Sequence, residues 1–487
     1  MTIASSLQQF IHSEKIAIHY CGQKINYPQL IERISTTKRK LLSYLPMPEH
    51  KVVAFLIHNK LEFLTLFLAI AELGAIALPL DPKWSGRDLD AIMDDARPDL
   101  LITDDRERFS HGFVPLETFL AAEPSFLPLP NVSSDTLFYL GYTSGTTGKP
   151  KGFVRTHASW LNSFQCTNAF FQLNSADRIL SPGPLVHSHF LYAAVHALSI
   201  GATLYLPEKF DAGDVLSLME KERISAVYIV PTMFQAMLKR YEEKKARPNV
   251  HLRTILSSGA KWHPASRKKA KLLFPNAKIF EFYGASELSF VTYLDEKGFE
   301  YDLQSAGRPF PNVQVSIRHE SGEEAHPGEI GELYVKSGMI FAGYWNDDEL
   351  TKKVRKGEWA TVGDLAVMDE NGYIRLVGRK SNMILSGGLN VYPEEIEHVL
   401  EKHPAIEEAA VIGVEDDYWG EKAVAFLRLK EGQTLTKEEL KTYCRKYMAT
   451  YKCPKMFFSV KAFPYTSSGK IARKQLKSLL GKGEVIS

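Results

Sequence analysis

The sequence predicts an α/β protein with a large N-terminal domain of several subdomains and a small α+β C-terminal domain. Two observations set the large domain. Short runs of β-branched and aromatic residues alternate with helical patterns over the first two thirds of the chain, the signature of parallel sheets with crossover helices. Over residues 302–377 the turns come faster, at Gly307-Arg308-Pro309, Pro327-Gly328, Gly343 and Asn371-Gly372, which predicts a β-rich subdomain. A third observation sets the small domain. After Gly378-Arg379-Lys380, Pro393 opens a helix with Glu394 and Glu395 in its first turn and Ile396, Val399 and Leu400 as its apolar positions.

Taken in order, each element has a local cause. Residues 1–15 lack the basic-then-apolar order of an export signal. The longest apolar stretch, residues 63–80, is broken by Glu72, Gly74 and Pro79. It therefore reads as a buried helix and a strand ending at Leu80-Asp81-Pro82, with no integral membrane segment. Further strands are expected at 52–57, 100–103, 202–206, 226–230, 254–257 and 279–283. Ligands of such sheets gather beyond the carboxyl ends of the strands. Two strands run straight into glycine-containing loops, Ser257-Ser258-Gly259-Ala260 and Tyr283-Gly284-Ala285-Ser286-Glu287, which makes both loops candidate site segments.

A chain of 487 residues exceeds one compact core, so two or three domains are expected. Its 45% hydrophobic and 24% charged residues suit a soluble globular protein. Lys+Arg 59 against Asp+Glu 57 leaves a formal +2, too little for a nucleic-acid-binding field, so no nucleic-acid partner is expected. Cys21, Cys166, Cys444 and Cys453 show neither CxxC nor zinc spacing and read as reduced structural thiols of a cytoplasmic protein.

The most informative segment runs from Tyr142 through Thr143, Ser144, Gly145, Thr146, Thr147, Gly148, Lys149, Pro150 and Lys151 to Gly152. Its glycines let the backbone approach a ligand closely and take positive φ. Its hydroxyls and two lysines suit a polyphosphate. It is not the kinase P-loop, because Thr143 stands where the first glycine should be and Pro150 where Ser or Thr should hold Mg²⁺. A flexible linker would not carry the ordered Gly-Lys-Pro-Lys-Gly ending. Near the C-terminus, Pro464-Tyr-Thr-Ser-Ser-Gly-Lys470-Ile-Ala-Arg473 places one lysine behind small residues. By itself that segment also suits a solvated basic tail.

Together these segments resemble the acyl-adenylating superfamily of acyl-CoA synthetases, peptide-synthetase adenylation domains and firefly luciferase. The resemblance spans nearly the whole chain and rests on motifs in the family's order: the 142–152 loop, Pro184-Leu-Val-His187, Tyr283 to Glu287, Gly363-Asp364, Gly378-Arg379, Ser386-Gly387-Gly388 with Tyr392-Pro-Glu-Glu-Ile-Glu397, and Ser468-Gly-Lys470. It implies an enzyme in which a carboxylate attacks the α-phosphate of ATP, pyrophosphate leaves, and the acyl group passes to coenzyme A.

By resemblance, Thr143, Ser144, Gly145, Thr146, Thr147, Gly148 and Lys149 hold the phosphates, and Thr143 and Glu287 hold Mg²⁺, a hard cation that takes oxygen ligands. Gly259, Ala260, Glu281, Phe282, Tyr283, Gly284, Ala285 and Ser286 bound the nucleotide, with Tyr283 flat against adenine. Asp364 accepts the ribose hydroxyls and Arg379 contacts ribose and phosphate. Lys470 supplies positive charge where negative charge develops. The implied division is an ATP- and acyl-binding domain over 1–378, a hinge at 379–380 that includes Lys380, and a mobile lid over 381–487. The lid's rotation withdraws Lys470 and brings Ser386, Gly387 and Gly388 forward to bind CoA.

The same resemblance lines the acyl tunnel with His187, Phe190, Tyr192, Gly259 and Tyr283, and makes His187 its gate. Peptide-synthetase domains that load amino acids usually carry an Asp just after the His187 position. Here Ser188-His189-Phe190-Leu191 follow, so an ammonium would be buried without a counter-charge, at high cost. His189 has no family counterpart. Val362 stands where a threonine often precedes Asp364, and Leu385 where a lysine commonly precedes the Ser-Gly-Gly turn, which weakens the case for CoA phosphates there.

The expected activity is that of an AMP-forming acyl-CoA synthetase acting on a medium- or long-chain fatty acid. The alternative is a stand-alone enzyme loading an aryl or acyl acid onto a carrier protein, and a homodimer is compatible with the sequence. A nucleotide-binding pseudoenzyme would have no need of Lys470 beside Glu287, Asp364 and Arg379.

Overall fold

The run Val52-Val53-Ala54-Phe55-Leu56 is apolar at every position, so as a strand it must be covered on both faces, and all five residues are buried in the strand Val52–Leu56. Leu100–Thr103, Thr203–Leu206, Ala226–Ile229 and Thr254–Ser257 are likewise buried at every position, with threonine or serine only at strand ends, and each lies within a residue or so of its expected position. The fold is that of a computed structural model describing residues 1–487 apart from 59, 110, 144–149, 245–247, 263, 303, 466–470, 481–483 and 487. The described chain forms two compact units, Met1–Gln314 with Val335–Ala360, and Val315–Tyr334 with Thr361–Ser487.

The first unit holds two sheets. In the nine-stranded sheet, Arg178–Leu180, Thr203–Leu206, Ala226–Ile229 and Thr254–Ser257 run parallel, and Lys278–Ala285 joins in parallel beside Thr254–Ser257. The helices Ala212–Lys221, Pro231–Lys244 and Pro264–Leu273 pack apolar residues such as Val215, Met219, Phe234, Met237 and Leu273 on it. The seven-stranded sheet places Val52–Leu56 between the parallel strands Ile76–Pro79 and Leu100–Thr103. Residues 63–80 give the helix Lys60–Glu72 and the strand Ile76–Pro79, and among the described residues no helix is long and apolar enough to cross a membrane.

One expectation needs correction. The strand through Tyr283 does not end there but continues to Ala285 and turns back as Ser289–Leu294, so the 283–287 segment is a strand end and a tight antiparallel turn.

In the second unit, the long hairpin Ile406–Asp416 and Gly420–Leu429 forms the sheet, with Met456–Ser459 parallel to its second strand. The helices Pro393–Glu401 and Lys437–Tyr447 supply Ile396, Leu400 and Leu440 to the core of this sheet. A second hairpin, Asp364–Met368 with Ile374–Arg379, belongs to the same unit. Compactness thus groups residues 315–334 and 361–378 with the C-terminal segment, and the hinge expected at 379–380 lies inside that unit. Asn382 donates to Glu394 Oε1 at 3.0 Å, tying the residues after the hairpin to the helix Pro393–Glu401.

The helix Tyr27–Tyr44 shows how sequence fixes a boundary. Asn26 Oδ1 accepts the Gln29 amide at 2.9 Å and Gln29 Oε1 accepts the Asn26 amide at 3.0 Å, a reciprocal cap. Asn26→Ala should cost about 1 kcal/mol. First-turn amides of this helix should then exchange about fivefold faster in hydrogen-exchange mass spectrometry, with the core strands unchanged.

Candidate active site

The phosphate-loop candidate hangs between the antiparallel strands Leu137–Thr143 and Lys151–Thr156, whose register sets Thr143 opposite Lys151. Ser144, Gly145, Thr146, Thr147, Gly148 and Lys149 lie outside the described residues. The loop's base is fixed on one side by the Tyr142 hydroxyl, which donates to Asp95 Oδ2 at 2.5 Å.

Four residues beyond Lys151, the same strand points Arg155 inward, where it is 1% exposed. Its guanidinium donates to Ser286 O at 2.9 Å, Ser289 Oγ at 2.6 Å, Met339 O at 2.6 Å and Ser159 Oγ at 3.2 Å. Burial pulls its pKa down to about 10, with the Glu287 charge acting in the opposite direction, so it is a cation at neutral pH. Arg155 therefore clamps the turn that carries Glu287. Gly284 is required at the start of that turn, because a Cβ there would overlap the Ser289 carbonyl oxygen. The Glu287 carboxylate is braced in turn: Tyr344 donates its hydroxyl to Oε1 at 2.8 Å, and the Phe341 amide donates to Glu287 O at 2.8 Å.

Of the nucleotide-wall candidates, Gly259, with φ 93°, and Ala260 form an exposed turn after the strand Thr254–Ser257. Phe282 packs on Phe290 with ring centroids 4.6 Å apart, and Tyr283, Gly284, Ala285 and Ser286 lie half-buried along the strand end and turn. The Glu281 carboxylate is already engaged by the Trp262 amide at 3.1 Å and by the Arg267 guanidinium, leaving its main chain as the part that can face a nucleotide.

The acyl candidates cluster at the helix Ser188–Ser199. His187 precedes its first turn, and burial lowers the imidazole pKa against the opposing effect of Asp81, which keeps the ring neutral. Phe190 lies so close over Gly183 that any Cβ at 183 would overlap its ring. The Gly183 carbonyl accepts from Lys60 Nζ at 2.9 Å, and this lysine, 7% exposed, has its pKa pulled down to about 8 by burial. Tyr192 sits among Trp160, Phe164 and Phe290, at centroid distances of 5.1 to 5.6 Å, with its hydroxyl 2.9 Å from Thr167 Oγ1. His189 stacks edge-on to Phe190 and Tyr228. Its Nε2 has no hydrogen-bond partner among the described residues, and burial lowers its pKa to about 4.

In the second unit, Asp364 and Arg379 face each other across the hairpin, with Arg379 Nε donating to Asp364 Oδ1 at 2.7 Å. Thr361 does not replace the hydroxyl absent at Val362, because it donates to Glu332 at 2.8 Å. Lys380 pairs with Glu320 at 3.1 Å and Glu332 at 3.7 Å, and these carboxylates raise its pKa. Ser386, Gly387 and Gly388 turn the short hairpin Ile384–Ser386 and Leu389–Val391. Positive φ of 57° and 80° at the two glycines explains why both are glycine. Lys470 lies outside the described residues. Arg473 beyond it donates to Glu397 Oε2 at 2.5 Å, which ties Arg473 to the Tyr392–Glu397 motif.

Within the first unit the structure thus brings the 283–289 turn, which carries Glu287, onto Arg155 of the strand that follows the phosphate loop. Within the second it pairs Asp364 with Arg379. Sequence reasoning missed Arg155, Tyr344 and Lys60. Nothing in the sequence marks a lysine or arginine as buried, or a tyrosine as the partner of a distant carboxylate.

The family described as AMP-binding enzyme matches residues 8–345, and the AMP-binding enzyme C-terminal domain matches residues 395–470. The chain is 41% identical over 473 residues to an uncharacterised acyl-CoA ligase, YhfT, of Bacillus subtilis, covering 96% of this chain and 95% of that protein. It is 33% identical to a feruloyl-CoA synthase of Amycolatopsis and 31% identical to a putative long chain fatty acid-CoA ligase, VraA, of Staphylococcus aureus, with 96% of each chain covered. Among solved structures, O-succinylbenzoate coenzyme A synthetase from Bacillus subtilis with ATP and magnesium superposes with a TM-score of 0.87 at 28% identity. That match covers 97% of this chain and 99% of that one.

Arg155→Met should destabilise the protein by about 2–4 kcal/mol, because it removes the donor of Ser286 O, Ser289 Oγ and Met339 O in a buried setting. Arg155→Lys should restore only part of this, since one ammonium cannot span the separate acceptors. Urea unfolding of the three proteins measures both effects.

Proposed function

The chain belongs to the AMP-binding enzyme family, and from that premise we propose that it joins an acid with an uncharged, apolar tail to coenzyme A, a medium- or long-chain fatty acid in first place. It is an AMP-forming acid–thiol ligase that uses ATP, Mg²⁺ and CoA. The observation that carries the choice of acid is the first turn of the helix Ser188–Ser199. It offers Phe190 over Gly183, Phe282 and Phe290 nearby, neutral His187, and no carboxylate in the Ser188-His189-Phe190-Leu191 run that could meet an ammonium. Relatives carry names that range from feruloyl to 2-succinylbenzoate to long chain fatty acid, so the family does not choose among these acids and the pocket must.

The residues present fit a magnesium nucleotide. Glu287 is a half-buried carboxylate held by Tyr344, an oxygen donor of the kind a hard cation takes, and Asp364 is an acceptor-only group suited to a ribose diol. When bound, MgATP supplies the electrophilic α-phosphorus and the pyrophosphate leaving group. Glu287 and Thr143 hold the cation, Arg155 keeps the Glu287 turn in place, and the 144–149 segment receives the phosphates. Arg379 orients Asp364 through its ion pair. Lys470 brings a positive charge to the carboxylate and α-phosphate oxygens, where fixed charge lowers the barrier most. Rotation about Lys380 then exchanges Lys470 for the Ser386–Gly388 turn in the thioester step.

The alternative to CoA as acceptor is a carrier-protein thiol. Leu385 and Leu389 expose apolar surface at that turn where a basic residue would have met the phosphates of CoA.

Lys470→Ala should lower acid-dependent pyrophosphate exchange on the order of 10²–10³ while sparing thioester formation from a supplied acyl-adenylate. Near-normal exchange in the variant would remove Lys470 from the adenylation step.

Along a series of straight-chain fatty acids, kcat/KM should rise roughly three- to fourfold per methylene until the tunnel is full, as about 0.8 kcal/mol per buried CH₂ implies. Benzoate, ferulate and several amino acids belong in the same assay, run with CoA as acceptor. A flat response, or an amino acid preferred over every fatty acid, would overturn the reading.

A further inference from the structure

Between the helix Leu116–Ala121 and the strand Leu137–Thr143 runs an apolar segment for which the ligase reading has no use. Its residues Phe126, Leu127, Pro128 and Leu129 are consecutive and all exposed, with Phe126 at 89%. Leu120, at the end of the preceding helix, is exposed as well. An isolated exposed leucine needs no explanation, but four apolar residues in a row crowned by a bare phenylalanine do.

The segment is anchored along its length to the helix Tyr27–Tyr44. The Ser125 amide donates to Arg39 O at 3.0 Å, Arg39 Nη1 donates to Leu127 O at 3.0 Å, Ser43 Oγ donates to Glu123 O at 2.8 Å, and Lys40 Nζ donates to Leu120 O. Pro128 and Pro130 further restrict its backbone. Arg39 and Lys40 give their hydrogens to carbonyls, which leaves their charges uncancelled, and neither is in an ion pair with a carboxylate among the described residues. An apolar tip is thus set on a base that carries two cations, with the exposed Glu123 between.

We propose that this wedge seats the enzyme on an anionic lipid surface, with Phe126, Leu127 and Leu129 entering the boundary between headgroups and acyl chains and Arg39 and Lys40 meeting lipid phosphates. The charge arrangement suits that partner, since the cations lie at the base of the apolar tip, where headgroups would be. Size argues the same way. Three side chains offer a few hundred Å² at most, short of the about 800 Å² per partner that a stable protein interface buries, whereas a bilayer requires no complementary shape. The inference does not depend on which acid the enzyme uses.

The test is co-sedimentation of the full-length protein with vesicles of phosphatidylcholine alone and of phosphatidylcholine with phosphatidylglycerol. The protein should partition onto the anionic vesicles. Phe126→Ser with Leu127→Ser should lower that partition roughly tenfold or more. Arg39→Gln with Lys40→Gln should lower it and flatten its dependence on salt. Ligase activity on a water-soluble acid should stay unchanged in both, which shows that they fold. Phe126→Trp should shift its emission to shorter wavelength when anionic vesicles are added. Partition that is indifferent to both double variants, or a tryptophan that sees no change, would overturn the proposal. So would light scattering that finds a dimer which the Phe126/Leu127 variant dissociates, because the wedge would then be an interface between two copies.

Discussion

The guanidinium of Arg155 is enclosed on all sides, and an enclosed cation is tolerable only if its donors are taken and a negative charge stands near. Both conditions are met by one short stretch of chain. Ser286 O and Ser289 Oγ accept from it on either side of Glu287, and the Glu287 charge favours the protonated guanidinium. The cost of burying Arg155 is therefore offset by the residues whose geometry it sets, so the clamp and the turn stabilise each other. An arginine is needed because the acceptors diverge. Ser159, the Ser286–Ser289 turn and Met339 belong to three separate parts of the chain, and a planar fork with several N–H groups reaches them where one ammonium would not.

A second device of the same kind supports the proposed acyl side. Lys60 opens the helix Lys60–Glu72, a position where the helix dipole disfavours a cation, and it is buried as well. Its ammonium binds the Gly183 carbonyl, and Gly183 in turn lies beneath the Phe190 ring. Ser181 Oγ donates to Phe190 O at 3.0 Å, so the 181–190 segment is fixed from both ends. The floor of the proposed acyl region is thus held by polar contacts behind it, which lets its face be aromatic.

What could be read from the sequence follows from which forces act locally. A strand such as Val52–Leu56 was legible because a run buried on both faces is apolar throughout. The helix Pro393–Glu401 was legible because proline, acidic first turn and apolar spacing agree. The course of the chain after Tyr283 was not legible, because the turn depends on Gly284 meeting the Ser289 carbonyl, and Ser289 itself takes φ 60° without being glycine or asparagine. Buried charges escaped for a related reason. Arg155 and Lys60 differ in no local feature from the half-buried Lys151 or the exposed Lys51, and only contacts distant in sequence make them interior. Glu281 illustrates the opposite limit: its motif position is informative about its backbone, yet its side chain is occupied by Trp262 and Arg267.

These contacts also explain why the reaction class is easier to read than the substrate. Groups proposed to handle phosphate, ribose and metal are charged or glycine-dependent, so each demands a particular residue type at a particular place, as Gly284, Glu287, Asp364 and Arg379 do. Groups that meet an apolar tail need only volume and the absence of charge, and volume is shared among many side chains. Phe190, Tyr192, Phe282 and Phe290 pack on one another and on Trp160, Phe164 and His189 as a continuous aromatic cluster. A change at any of them can be absorbed by its neighbours, with a cost set by how well the site collapses. Substrate preference in such a cluster is a property of its summed shape. It can therefore shift among acids of different outline without any change in the charged constellation proposed to run the chemistry.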